Sequence, residues 1–118
     1  MGFREHLEEV CRAEGAVAAS VIGFDGIPVE TVLAAETDVE LESWLVELSG
    51  MLKGLRDAAG RLETGAVGEV TIGTERLLAI LRPLNPEFFA VLAMRPEGNY
   101  GKGRYLLRIA APRLQGEF

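Results

Sequence analysis

Ala16-Val17-Ala18-Ala19-Ser20-Val21-Ile22-Gly23-Phe24-Asp25-Gly26-Ile27-Pro28-Val29 is the stretch on which the fold turns. Small and β-branched residues run from Ala16 to Phe24, an Asp25-Gly26 pair interrupts them, and a second apolar run extends from Ile27 to Ala34. An Asp-Gly pair tolerates the positive φ angles of a tight type I′ turn, so this segment reads as two antiparallel strands in a hairpin.

Upstream of the hairpin, Phe3, Leu7 and Val10 recur at helical spacing with Cys11 beside them, while Arg4, Glu5, Glu8, Glu9 and Arg12 take the other face. That pattern predicts an amphipathic helix over 2–13, stopped by Gly15. Downstream, Thr37 and Glu40 have capping-box spacing. Leu41, Leu45, Leu48, Leu52, Leu55, Ala59 and Leu62 then form one apolar stripe, predicting a long helix over 37–62 that Gly65 and Gly68 end.

Val67–Gly73 alternates, with Val70 and Ile72 on one face and Glu69 and Thr71 on the other. Turns at Gly73–Glu75 and Asn85-Pro86 separate it from the apolar runs Leu77–Leu81 and Phe88–Met94. Neither run alternates, which places covering layers on both faces of the sheet. Tyr105, Leu106, Ile109 and Ala110 predict a last helix over 100–111, closed by Pro112.

The expected fold is therefore α/β (α+β): helix, two strands, long helix, three strands, helix, with a five-stranded antiparallel or mixed sheet and helices on both faces. This order resembles the Roadblock/dynein light chain domain. Residues 16–29 are similar to that family's first hairpin, with its Asp-Gly turn, apolar residue and Pro. Asn99 and Gly101 before Tyr105-Leu106-Leu107-Arg108 resemble the approach to its last helix. The longin and profilin folds have related architectures and compete for the assignment. The resemblance spans nearly the whole chain and implies a single Roadblock-like domain over 1–118.

Bulk properties fit such a module. A chain of 118 residues is within the usual range for one domain and buries roughly two-thirds of its extended surface on folding. Mean hydropathy of +0.17 is somewhat high for a lone soluble monomer, which leaves surface for a second chain to cover. A net charge of −6 and the absence of a Lys/Arg block argue against nucleic acid, whose binding rests on clustered cations. Cys11 is the only cysteine, so no intramolecular disulfide or multi-cysteine zinc site can form, and a reducing compartment fits. Charge in Met1–His6 does not suit a signal peptide, and the apolar runs are too short to span a bilayer. The expectation is a soluble cytoplasmic protein without membrane insertion.

Catalytic chemistry is poorly supplied. A useful acid or base needs positioning near a substrate, with a nucleophile or metal where required. His6 is the only histidine and reads as solvated or structural. Cys11 borders an apolar stripe and reads as packing. Ser20, Ser43 and Ser49 lack a second histidine and a Gly-x-Ser-x-Gly context. Gly98-Asn99-Tyr100-Gly101-Lys102-Gly103 resembles a phosphate loop but has neither Walker nor Rossmann spacing, so it reads as a strand-to-helix turn needing positive φ. Glu36, Asp38, Glu40, Glu42 and Glu47 read as a solvated face, several of them suited to a helix N-terminal dipole. No catalytic, cofactor or metal residue is assigned, and the chain reads as a non-enzyme.

A partner surface is easier to draw. On the long helix Gly50 lies opposite the apolar stripe, Gly54 turns toward one flank, and Trp44, Met51 and Ala58 occupy that flank. Two glycines inside one helix cost about 1 kcal/mol each relative to alanine. Close approach of another backbone explains them, and so does a generally Gly-rich sequence. Trp44 and Met51 suit an interface or simply the rim of the intrachain core. The resemblance implies a homodimer, with Val67–Gly73 strands paired edge to edge and long helices side by side, so Trp44, Met51, Ala58, Glu69, Val70, Thr71 and Ile72 are the expected dimer residues. In prokaryotic members that this chain resembles, the helix-pair face receives a Ras-like GTPase and can stimulate its hydrolysis. Helical phase then puts Glu47, Gly50, Lys53, Gly54, Asp57 and Arg61 on the face for that partner. A dimeric adaptor with no effect on nucleotide turnover is the alternative, and an enzyme using the Gly98–Gly103 turn is a third.

Overall fold

In the computed structural model, which describes residues 1–118, the elements are α1 (Phe3–Val10), β1 (Ala16–Gly23), β2 (Pro28–Leu33), α2 (Leu41–Arg61), β3 (Val70–Gly73), β4 (Leu78–Pro83), β5 (Phe88–Met94) and α3 (Tyr100–Gln115). The strands form one sheet in the order β2-β1-β5-β4-β3, antiparallel at every pairing. The larger core, which includes Leu7, Val21, Ile80, Leu92, Leu107 and Leu114, joins α1 and α3 to one face of the sheet. A smaller one around Leu48, Leu52, Leu81 and Phe89 joins α2 to the other. β1 is buried throughout and β5 nearly so, as their runs without alternation require.

Several boundaries differ from those expected. The first turn is not type I′. Gly26 N–H donates to the Gly23 carbonyl and Gly23 N–H to the Ile27 carbonyl, both at 2.9 Å, and of Asp25 and Gly26 only the glycine has positive φ, at 88°. This is a three-residue loop with a glycine bulge, in which Asp25 Oδ1 accepts the Ile27 N–H at 3.0 Å. The long helix starts at Leu41 and not near 37, because Thr37 Oγ1 accepts the Val39 N–H at 3.1 Å, a local turn that competes with capping.

That helix ends before either expected glycine. Thr64 N–H donates to Ala59 and Glu63 N–H to Gly60, the paired bonds of a Schellman motif. Glu63 takes the left-handed position, with φ 55°. β3 begins at Val70 rather than Val67. Continuing the Val70–Leu81 register would set Gly68 against Pro83, which has no N–H to give the ladder. α3 passes through Pro112 to Gln115. Pro112 removes one N–H close to the helix end, while Leu114 is fully buried and the Gln115 side chain donates to the Leu84 carbonyl, so packing of the last turn outweighs the break.

Candidate partner-binding surface

The only histidine and the only cysteine both sit inside or against the packed interior. His6 is buried, with Nε2 3.0 Å from Glu117 Oε2. Burial pushes the Cys11 thiol up to about 11, far from the thiolate that nucleophilic chemistry requires. No three His, Cys, Asp or Glu side chains come together as a metal site. No helix is long and apolar enough to cross a membrane.

The Gly98–Gly103 turn has a structural task different from the one expected. Gly98 is not in the positive-φ region. Instead its backbone crosses that of Gly15 so closely that a Cβ on Gly15 would lie 2.5 Å from Gly98 Cα. Arg95 N–H donates to the Gly15 carbonyl and Asn99 N–H to the Glu14 carbonyl, both at 2.8 Å. Asn99 Oδ1 then accepts the Lys102 N–H and caps α3.

One surface open to a partner is α2 and the β3 edge beside it. Only Leu48, Ser49 and Leu52 of α2 are buried. The predicted stripe continues through Leu55 and Leu62, yet these are 45% and 73% exposed, and Met51 is 48% exposed. The C-terminal half of the helix presents its apolar side to little sheet, because β3 is only four residues long. Val46, 53% exposed, faces the β1–β2 hairpin, where Arg56 lies 3.8 Å from the centre of the Phe24 ring.

The six residues expected to meet a GTPase, Glu47, Gly50, Lys53, Gly54, Asp57 and Arg61, are all exposed. A Cβ added at Gly50 or Gly54 would meet nothing within 4 Å, so the helix backbone is open to close approach there. The expected dimer residues fall into two sets. Trp44, Val70 and Ile72 are half-buried against the smaller core, Ala58 is half-buried and Met51 exposed.

Glu69 and Thr71 point to the opposite face, toward α3. Glu69 forms ion pairs with Arg104 at 2.6 Å and Arg82 at 3.4 Å, and the Arg104 hydrogen bond holds its carboxyl below the usual range. Thr71 Oγ1 lies 3.1 Å from the Tyr100 hydroxyl. At the edge itself, Thr74 N–H donates to the Leu77 carbonyl. Antiparallel alternation therefore turns the backbone groups of Thr71 and Gly73 outward, where no strand meets them.

Sequence reasoning did not single out the cleft between the start of α2 and the β3–β4 turn. It is lined by Val39, Trp44, Thr74 and Leu77 and bridged by Arg76 and Asp38 at 2.5 Å. The visible signal was Trp44 itself, an aromatic side chain near the start of a helix.

No protein-family model and no curated protein matches the sequence. Among solved structures, MglC from Myxococcus xanthus is 46% identical over 100% of both chains, with a TM-score of 0.73. MglB in a tetrameric arrangement is 22% identical over 97% of this chain and 85% of its own, with a TM-score of 0.85. A Roadblock/LC7 domain from Streptomyces avermitilis is 14% identical over 98% of this chain and 97% of its own, at 0.82. Identity to MglC over the full length, together with the fold shared with the Roadblock/LC7 domain, shows that the chain belongs to the Roadblock/LC7 superfamily, as a relative of MglC.

Proposed function

We propose that the chain is a non-enzymatic, homodimeric regulator that works as one Roadblock-like module over residues 1–118 and binds a small Ras-like GTPase. The observation that carries this reading is the apolar side of α2 left in solvent at Met51, Leu55 and Leu62, beside the unpaired edge of β3. A second copy brought in by a two-fold axis covers both at once: strand meets strand, and helix lies against helix. The tetrameric arrangement of the MglB relative supports self-association of this fold.

With the apolar flank covered in that way, the outward residues Glu47, Gly50, Lys53, Gly54, Asp57 and Arg61 of two helices form one continuous face. It carries both charge signs, and the glycines leave its centre low. A folded partner fits such a face better than a small substrate does, and a regulator that repositions the GTPase's own residues needs no active site of its own.

The experiment combines the purified protein with small Ras-like GTPases encoded near its gene and measures both binding and GTP hydrolysis. Binding with faster hydrolysis is expected. Gly50→Arg should abolish binding while light scattering still reports a dimer. Binding without any change in nucleotide turnover would identify the adaptor reading instead, and retention of binding by Gly50→Arg would remove the proposed face.

A further inference from the structure

The opposite edge of the sheet, formed by β2, carries a second open surface. β2 pairs only with β1, and α2 does not reach over it. Between them runs a groove of about 1160 Å³ whose apolar lining includes Leu33, Leu41, Leu45 and Val46. Leu33 is 69% exposed. The charged residues that line the groove are Glu36, Glu40 and Glu42, with no lysine or arginine among them.

The backbone of that edge is organised for pairing. Ala34 N–H donates to the Val17 carbonyl and the Ser20 hydroxyl to the Glu30 carbonyl, so residues 30, 32 and 34 face β1. Alternation turns the backbone groups of Thr31 and Leu33 outward, while Val29 is the extra residue of a bulge opposite Val21 and Ile22. Thr31 N–H is met by the Glu30 side chain at 3.1 Å, a local bond that an incoming carbonyl can replace. Pro28 has no N–H and sets the limit of the pairable edge.

We propose that this groove receives an extended segment of another polypeptide, added to β2 as a sixth strand, whose side chains on the α2 face are apolar and Lys or Arg in turn. The apolar positions lie on Leu33, Leu45 and Val46, and the basic side chains meet Glu36, Glu40 and Glu42. Charge decides the occupant. A second copy of this chain, at net charge −6, would bring its own acidic groove edge to edge, and an anionic membrane or nucleic acid is repelled by the same carboxylates. Strand addition supplies affinity through main-chain bonds and specificity through alternate side chains. The proposal does not rest on the GTPase reading, since β2 and β3 are opposite edges of the sheet.

The test titrates the full chain with a nine-residue peptide that carries Val and Lys in turn at its even positions and Thr at its odd ones, and with the same peptide carrying Glu for Lys, while amide shifts are followed by NMR. The Lys peptide should bind, perturb residues 29–35 and 41–46, and weaken as salt is raised. The Glu peptide should bind at least tenfold more weakly. The triple substitution Glu36→Lys, Glu40→Lys, Glu42→Lys should cost tenfold or more, and N-methylation of alternate peptide amides should abolish binding. Equal binding of both peptides, shifts confined to the outer face of α2, binding that survives N-methylation, or no binding at millimolar peptide would each overturn the proposal.

Discussion

Glu69 accepts a hydrogen bond from Arg104 Nε at 2.8 Å, tying the lead-in to the edge strand β3 to the first turns of α3. Arg82 on β4 reaches the same carboxylate at 3.4 Å. Glu69 is 19% exposed and Arg104 51%, so the contact is partly screened. Glu69→Gln is expected to lower stability at pH 7 by about 1 kcal/mol. The carboxyl is depressed in the fold, so its contribution is present above the unfolded value near 4.5 and is lost as pH falls through the folded value. The difference in Tm between the two proteins should therefore shrink as pH falls below 4.5. A difference in Tm that persists unchanged at pH 3 would remove the charge from the explanation.

The order of elements was legible because period and turn chemistry agree along most of the chain. β4 and β5 lack alternation and are covered on both faces. What stayed hidden depended on contacts across the chain. Only the register between β3 and β4 reveals that Pro83 ends their pairing, and only packing of Leu114 carries α3 through Pro112. Helical phase was legible, since residues 47, 50, 53, 54, 57 and 61 all emerged exposed. Phase could not show that the stripe at Leu55 and Leu62 outruns the sheet beneath it, nor that the Glu69 and Thr71 side chains are taken up by α3.

Self-association is the next expectation. Light scattering of the wild type should give twice the 12.8 kDa chain mass. Met51→Glu with Leu62→Glu places two carboxylates on the exposed apolar flank and should yield a monomer at micromolar concentration. Thr71→Pro should do the same through the backbone, because the N–H it removes faces outward and contributes nothing to the β3–β4 ladder. If both variants remain dimeric with native circular dichroism, the interface lies elsewhere.

Glycines separate stability from binding. Gly50→Ala and Gly54→Ala enter open space and should each stabilise the chain by about 0.5–1 kcal/mol through helix propensity. Gly103→Ala on α3 instead brings a Cβ to 2.6 Å from Met94 Sδ and 3.0 Å from Leu92 Cδ2. Overpacking there costs about 1–3 kcal/mol and outweighs the propensity gain. Gly15→Ala should be worse still, since it is strained at φ 88° and strikes the Gly98 backbone. Urea midpoints at constant m-value check the ranking. A Gly50→Ala protein that loses stability would show that the α2 glycines are packed in the fold and not open to a partner.

The end of α2 offers a last and more local test. Glu63 occupies the left-handed position of the Schellman motif at φ 55°, where an L side chain costs roughly 1–2 kcal/mol and glycine is unstrained. Its side chain is exposed and forms no hydrogen bond or ion pair that would offset the strain. Glu63→Gly gives back part of that cost to unfolded-chain entropy, leaving an expected gain of about 0.5–1 kcal/mol. For a chain of this length that raises Tm by roughly 2–8 °C. Glu63→Ala keeps the Cβ and therefore the strain, so it should leave Tm nearly where it is. Equal effects of the two substitutions would mean that removing the carboxylate, not relaxing the backbone, is what matters at this turn.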